Sequence, residues 1–143
     1  MFLKSTEYAI RATLYIAQKG TVDKKLSIRE ISKAINSPQP FTAKILQTLS
    51  SNKIVCSTPG PRGGFYMTDK GRNLSMDSLL NAIGEEGFFD KCILGLNKCS
   101  DIKPCPIHAQ YKPLKEKLKR LFEDKTIGSL SQKLDAGNIF IYN

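Results

Sequence analysis

Residues 27–49, SIREISKAINSPQPFTAKILQTL, carry the strongest indication of the fold in this 143-residue chain. Ser27 and Glu30 have the spacing of a capping box, which predicts a helix that begins at residue 28 and ends near residue 34 or 35. Pro38 and Pro40 are tolerated only in the first turn of a helix, so they predict a second helix from about residue 39 to 51. Two short helices joined by a tight turn indicate a helix-turn-helix. The side chains expected to face inward from its second helix are Phe41, Ile45, Leu46 and Leu49.

Two β-prone runs, residues 54–58 and 65–68, follow the second helix. The turn sequence Pro59-Gly60-Pro61-Arg62-Gly63-Gly64 lies between them, and this order predicts a β-hairpin. A hairpin directly after a helix-turn-helix is a wing. Further helices are predicted over residues 5–18 and 76–83. The predicted fold class is mainly α with a small β-hairpin wing, and the winged helix-turn-helix domain covers residues 1–83.

The net charge of the chain is +9, and most of it lies in the first half. Residues 1–75 hold 12 Lys and Arg against 4 Asp and Glu, whereas residues 76–143 hold 10 against 9. A basic half favours a polyanionic partner, because a protein that neutralises phosphates releases their condensed counterions. Together with the helix-turn-helix, this charge predicts double-stranded DNA as the partner.

The candidate DNA-contacting residues lie mainly on the second helix, because a recognition helix presents its first turns to the major groove. Gln can bind adenine through two hydrogen bonds, and Lys can contact guanine or a phosphate. An Arg at the tip of a wing can enter the minor groove. The predicted DNA-contacting set is Ser27, Arg29, Gln39, Thr42, Lys44, Gln47, Lys53 and Arg62.

Two classes of protein are not indicated by the sequence. No secretory signal is visible, and no apolar run approaches the roughly 20 residues that cross a bilayer, so a cytoplasmic protein without a membrane partner is expected. Its cysteines are then expected to be reduced. No phosphate-cradling loop, nucleophile elbow or His-Glu-x-x-His pattern is present, so neither enzymatic activity nor a small-molecule substrate is predicted.

Residues 84–106 form a loop that is too long to be a plain connection, so we predict that it is functional. It holds Cys92, Cys99 and Cys105, and the only histidine of the chain, His108, follows three residues after the last cysteine. Thiolates and imidazole are the ligands of iron–sulfur clusters and of tetrahedral zinc, and the residue types alone do not distinguish the two. Cys56, in the predicted wing, is assigned no role.

Residues 107–143 form the third predicted segment, which begins with a long helix. Its apolar side chains repeat at intervals of four and three, as in a coiled-coil seam. They are Ile107, Tyr111, Leu114, Leu118, Leu121 and Phe122. The narrow stripe predicts that the helix pairs with its own copy in a homodimer, and the alternative is packing against its own winged domain. A short element over residues 126–134 and a weakly apolar tail complete the segment.

Along essentially its full length the chain resembles the IscR/NsrR/CymR family of bacterial winged-helix repressors. The resemblance rests on Tyr8-Ala9-Ile10-Arg11-Ala12, on Leu26-Ser27-Ile28-Arg29-Glu30-Ile31-Ser32, on Pro38, Phe41, Lys44-Ile45-Leu46 and Leu49, and on the wing sequence Gly60-Pro61-Arg62-Gly63-Gly64-Phe65. It implies a homodimer, a dimerisation helix after the loop, and operator binding that is controlled by an iron–sulfur cluster.

The resemblance also implies the ligands of this cluster. In the branch that regulates iron–sulfur assembly, a 2Fe–2S cluster takes three cysteines and a histidine, which correspond here to Cys92, Cys99, Cys105 and His108. In the nitric-oxide-sensing branch, a 4Fe–4S cluster takes an acidic ligand from the first helix of the other subunit, where Glu7 lies, so Glu7 is the alternative fourth ligand. The 2Fe–2S cluster is favoured because of His108. The alternative function is that of a zinc-stabilised nucleic-acid-binding protein without redox sensing.

Overall fold

The computed structural model describes residues 1–142. Its elements, in chain order, are α1 (Lys4–Lys19), α2 (Ile28–Ala34), α3 (Gln39–Ser51), β1 (Cys56–Thr58), β2 (Gly64–Tyr66), α4 (Asp69–Arg72), α5 (Met76–Ala82), a 3₁₀ turn (Phe88–Asp90), α6 (His108–Asp124) and α7 (Ile127–Leu134). This order confirms the predicted fold class, which is mainly helical with one small antiparallel hairpin.

The helix-turn-helix consists of α2 and α3, and local sequence signals set its boundaries. The Ser27 hydroxyl accepts a hydrogen bond from the Glu30 amide at 3.1 Å, and the Glu30 carboxylate accepts one from the Ser27 amide at 2.7 Å. This reciprocal pair is the predicted capping box, and it satisfies two amides that α2 itself cannot pair. Pro40 lies in the first turn of α3, where its missing N–H costs nothing.

The wing is the β1–β2 hairpin, in which Cys56 pairs with Tyr66 and Thr58 pairs with Gly64. A third piece of chain joins it, because Leu26 and Phe65 exchange two backbone hydrogen bonds of 2.8 Å. Gly64 lies so close to this extra piece that a Cβ atom would sit 2.6 Å from the Leu26 carbonyl oxygen, and its φ is +145°. Glycine at this position therefore serves the assembly of the wing.

The core lies between the helix-turn-helix and the two terminal helices. Its largest fully buried side chains include Ile16, Leu46, Leu49 and Leu79, and they are joined by Ile127 of α7. Helix α7 packs on α1, and a bridge between Ser75 and Thr126 ties its start to the start of α5. Helix α7 and Phe122 of α6 therefore contribute to the core of the winged domain.

Arg72 joins several segments of this core through its guanidinium group, a role that no local sequence pattern predicts. Its guanidinium group donates to the backbone carbonyl oxygens of Ala17, Met67 and Gly20 at 3.1, 2.5 and 3.0 Å. These three carbonyls belong to the end of α1, the residue after it and the exit from β2. Because a guanidinium group carries five donors in a rigid fork, it can satisfy all three at once.

The apolar side chains of α6 fall into two groups, of which one packs against the same chain and the other is exposed. The ring of Phe122 packs near the rings of Phe2 and Phe89, with centroid distances of 5.9 and 5.4 Å, so this side contacts the same chain. Leu114 and Leu121 are 62% and 53% exposed, and Ile107, at the residue before the helix, is 38% exposed. These three positions are seven residues apart and form an open apolar stripe.

Candidate DNA-reading surface and cysteine loop

The exposed side of α3 carries most of the residues that the sequence assigned to DNA contact. Gln39, Lys44 and Gln47 are exposed on this helix. Phe41, which was expected to face inward, is 37% exposed and lies at the edge of the core, where its ring meets that of Tyr8 edge-on at 5.5 Å. The outer surface of α3 is thus polar and basic, with one aromatic side chain at its border.

Thr42 does not belong to this surface, so its prediction as a DNA contact is wrong. The side chain is 0% exposed, and its hydroxyl lies 3.0 Å from both the Pro38 carbonyl oxygen and the Ser37 hydroxyl. Thr42 precedes Ile45, Leu46 and Leu49 by three, four and seven residues, which is the spacing of one helix face. The hydroxyl therefore fixes the first turn of α3 from the buried side.

The remaining predicted DNA contacts flank α3 and are exposed. Arg29 stands on α2, Lys53 follows α3 with a positive φ of 60°, and Arg62 lies at the tip of the wing. Ser27 is exposed, although its hydroxyl already accepts the capping hydrogen bond of α2. Their contact with DNA stays a prediction.

Two of the four candidate ligands, Cys99 and His108, are in direct contact. The Cys99 sulfur lies 3.4 Å from His108 Nδ1. Cys92 is buried. Hydrogen bonds from the Leu94 and Leu96 amides, followed by the one with Cys105, hold the pKa of the Cys92 thiol below its ordinary value. Within residues 1–142, no three His, Cys, Asp or Glu side chains converge closely enough to hold a single metal ion.

A carboxylate and an ammonium group that the sequence analysis missed surround His108. Its Nε2 lies 2.8 Å from Asp101 Oδ1, and Lys112 Nζ contacts both carboxylate oxygens of Asp101 at 3.0 and 2.8 Å. The hydrogen bond from Lys112, and to a smaller extent that from His108, lowers the pKa of Asp101 to about 2. The same contact with Asp101 raises the pKa of Lys112. A signal existed, because Lys112 follows His108 by four residues on one helix face.

A cavity of about 230 Å³ opens beside this pair and is lined by Cys99, His108, Lys112 and Lys119 among others. The side chains that line it come from the loop and from one face of α6. The Cys99–His108 pair is thus accessible from a polar cavity and is not sealed in the core.

A second polar contact ties the start of the loop to α1. The buried Thr6 hydroxyl donates to Glu85 Oε1 at 2.6 Å, and Lys91 Nζ lies 3.7 Å from Glu85 Oε2. Lys91 directly precedes Cys92, and α1 packs against α3. The cysteine loop is therefore linked to the recognition helix through one buried carboxylate and one helix.

Glu7, the alternative fourth ligand, lies in the first turn of α1 and is partly exposed. Its carboxylate forms an ion pair with Lys4 Nζ at 3.1 Å. Coordination from another subunit stays a prediction for this residue.

A family model described as an iron-dependent transcriptional regulator, Rrf2, matches residues 2–133. The chain belongs to the Rrf2 family. Members of this family are DNA-binding transcription regulators and not enzymes, so the predicted absence of enzymatic activity is confirmed by the family. No helix in the described part of this Rrf2-family chain is both long and apolar enough to cross a membrane.

Two curated relatives illustrate this membership. A helix-turn-helix-type transcriptional regulator of Aquifex aeolicus is 30% identical over 132 residues, which are 91% of this chain and 90% of that protein. The transcriptional repressor NsrR of Streptomyces coelicolor is 29% identical over 105 residues, or 73% of this chain and 66% of that protein.

Solved structures of the family share the fold. The global cysteine regulator CymR of B. subtilis superimposes with a TM-score of 0.73 at 13% identity, covering 93% of this chain and 97% of that one. IscR of T. potens gives a TM-score of 0.70 at 12% identity, covering 97% and 91%. At such identities the likeness establishes the winged-helix fold.

Proposed function

We propose that this Rrf2-family protein is a transcription repressor whose operator binding is controlled by an iron–sulfur cluster, most simply a 2Fe–2S cluster. Cys92, Cys99, Cys105 and His108 would hold the cluster. The observation that carries the proposal is the contact between Cys99 of the loop and His108 at the start of α6, at 3.4 Å. Such a cluster supplies a centre that is sensitive to redox state and to small reactive molecules.

Three thiols and one imidazole are a donor set that a two-iron cluster can take. A tetrahedral zinc site needs four donors around one point, and no such convergence exists among residues 1–142. In 2Fe–2S centres that mix cysteine and histidine, each iron takes two protein ligands. Cys99 and His108, which are in contact, could serve one iron, and Cys92 and Cys105 would serve the other. The lowered pKa of Cys92 favours the thiolate that a metal requires.

The DNA-binding part of the proposal rests on exposure and charge. Gln39, Lys44 and Gln47 extend from one helix, and Arg62 extends from the wing tip, in the half of the chain that holds 12 basic residues against 4 acidic ones. A recognition helix in the major groove and an arginine in the minor groove would use these side chains. The repressor sense of the proposal is supported by the name of the S. coelicolor relative.

A homodimer belongs to the same proposal. The open stripe of Ile107, Leu114 and Leu121 on α6 has the seven-residue repeat of a helix that pairs with another helix. Two copies joined along this stripe would present two recognition helices to the two half-sites of one operator. The stripe on α6 therefore gives the dimer its candidate interface.

The contacts around Glu85 provide a route by which the loop can act on the DNA-reading surface. A shift of the Cys92 segment moves Lys91, whose ammonium group contacts Glu85, and Glu85 holds Thr6 on α1. Because α1 packs on α3, such a shift changes the position of the recognition helix. Control of this kind is allosteric only if the two states of the loop differ in DNA affinity.

Chemical analysis of protein purified without oxygen tests the cluster. We expect about two iron and two sulfide per chain with visible absorption, lost in Cys92→Ala, Cys99→Ala and Cys105→Ala. Cys56→Ala is the matched control, since Cys56 lies in the wing, and it should keep the cluster. About four irons per chain would indicate a 4Fe–4S cluster, and the candidate fourth ligand would then be Glu7 instead of His108. Zinc without visible absorption would overturn the cluster and leave a zinc-stabilised DNA-binding protein.

Gel-shift titration of the protein with and without its cluster tests the control of operator binding. The same operator fragment is used for both forms, and we expect different affinities. Equal affinities on every operator would contradict the regulatory proposal and leave DNA binding itself intact.

A further inference from the structure

We propose that Asp101, held in place by Lys112, is a positioning residue that fixes the His108 ring with its proton on Nε2 and its free lone pair on Nδ1, facing Cys99. The position of the ring proton does not depend on the proposed function. Only its consequence, the use of Nδ1 as a ligand atom, rests on that function.

The position of the ring proton follows from the partner of Nε2. An ionised carboxylate only accepts hydrogen bonds, so the 2.8 Å contact between Asp101 Oδ1 and His108 Nε2 requires the hydrogen to be on Nε2. A neutral imidazole carries a single N–H. Nδ1 is then unprotonated, and it is the atom that lies 3.4 Å from the Cys99 sulfur.

Lys112 keeps Asp101 in this orientation. Its ammonium group contacts both carboxylate oxygens, at 3.0 and 2.8 Å, and contacts between charged partners are stronger than neutral ones. His108 and Lys112 stand four residues apart on α6, so the helix itself sets the distance between the ring and the ammonium group. Asp101 bridges the two from the loop.

The loop backbone around Asp101 is also fixed. The Ser100 hydroxyl accepts hydrogen bonds from the Ile102 and Lys103 amides at 3.2 and 3.4 Å, which forms a small turn around Asp101. His108 is only 8% exposed, so its ring has little freedom to turn away from both partners. The orientation of the ring is therefore set before any ligand binds.

This arrangement has a direct consequence for the proposed cluster. A histidine that ligates a metal usually donates its other ring N–H to a carboxylate or carbonyl, which fixes the tautomer and raises the basicity of the ligating nitrogen. Asp101 would play that part for His108. Removal of such an outer partner typically weakens metal binding by about 10- to 100-fold.

Nitrogen-15 NMR of the histidine ring in the metal-free, reduced protein tests the position of the proton. Because His108 is the only histidine, a single ring is observed, at a pH well above the usual histidine pKa of about 6.5. We expect the Nε2–H tautomer alone, with an Nε2 proton that exchanges slowly enough to be seen. Asp101→Ala should lose this proton signal, and Asp101→Asn, which keeps an oxygen acceptor, should restore it.

The matched control is Lys119→Ala, which removes a lysine from the same cavity without touching Asp101, whereas Lys112→Ala removes the contact. The control should leave the ring signals unchanged, and Lys112→Ala should weaken the protected Nε2 proton signal. A ring protonated on Nδ1 in the parent protein, or a ring unaffected by Asp101→Ala, would overturn the proposal.

Cluster retention then separates this proposal from the proposed function. In protein that carries a cluster, the chelator concentration that removes half of the visible absorption should be about 10- to 100-fold lower for Asp101→Ala than for the parent. Equal retention in the two would overturn the positioning of a ligand. A parent protein that holds no cluster but shows the expected tautomer would contradict the proposed function and leave the fixed ring established.

Discussion

Single residues of α3 differ sharply in their surroundings, because side chains two positions apart face the solvent and the core. Lys44 lies two residues beyond Thr42, yet Lys44 is exposed and Thr42 is fully buried. Steps of two residues turn a helix by about 200°, so such neighbours face opposite sides. The basic and polar side chains left on the outside are the ones that can meet phosphates and bases.

Lys44→Ala and Arg62→Ala are expected to weaken operator binding, because each removes an exposed positive charge from the DNA-reading surface. If Lys44 meets a phosphate, its loss lowers the slope of log K against log salt by about one. Fluorescence anisotropy with an operator fragment over a range of salt concentrations measures both effects. Lys133→Ala, which removes an exposed lysine from the last turn of α7, is the control and should bind like the parent. Unchanged binding in both test variants would show that the DNA-reading surface lies elsewhere.

At the scale of elements, the contacts between α1 and the cysteine loop depend on one buried carboxylate. Glu85 is 9% exposed, and its partners Thr6 and Lys91 come from two sides of the junction. A buried carboxylate that loses a hydrogen-bond donor keeps the full cost of its desolvation. The junction is therefore sensitive to the loss of a single hydroxyl.

Thr6→Val is expected to lower the free energy of unfolding by about 1–3 kcal/mol, because it keeps the shape of the side chain and removes the donor to Glu85. Urea denaturation followed by circular dichroism measures the change. Ser5→Ala removes a neighbouring exposed hydroxyl and should leave the stability nearly unchanged. A Thr6→Val protein as stable as the parent would mean that Glu85 finds another donor.

Local signals in the sequence predicted most of the elements, and contacts between distant residues account for what they missed. The capping box of Ser27 and Glu30 and the proline at residue 40 act within one turn, so they gave α2 and α3 correctly. The carbonyl contacts of Arg72 and the Thr6–Glu85 hydrogen bond join residues about 50 to 80 positions apart. No short-range pattern encodes such pairs. The ligand candidates were found because they are close in sequence and of metal-binding types, whereas no sequence pattern singles out Asp101 as the partner of His108.

In the molecule as a whole, the stripe of Ile107, Leu114 and Leu121 along α6 is an apolar surface that stays exposed within the described residues. Leu114 and Leu121 are more than half exposed in the described part of the chain, while Phe122 on the same helix packs inward. Burial of apolar surface stabilises association by about 25 cal/mol per Å² before the costs of binding are counted. A second α6 laid along the stripe would remove these leucines from water.

Replacement of Leu114 and Leu121 together by lysine is expected to convert a dimer into a monomer, because it places charge in the apolar seam. Analytical ultracentrifugation over a range of concentrations gives the oligomeric state. Glu123→Lys adds a lysine to α6 away from the stripe and is the control that should remain dimeric. A parent protein that is monomeric at all concentrations would contradict the dimer, and a double variant that stays dimeric would move the interface to another surface.

The packing of α7 on α1 has a consequence for folding during synthesis on the ribosome. Ile127 is fully buried against the helices of the winged domain, so the first hundred residues to be synthesised lack a part of their own interior. Domains usually fold as units while the chain emerges from the ribosome. Here the core of the DNA-binding half is complete only when α7, the last helix of the described residues, has been translated. A chain truncated before residue 126 would expose the apolar surface on which α7 packs. The winged domain is therefore complete only after the cysteine loop has also been synthesised.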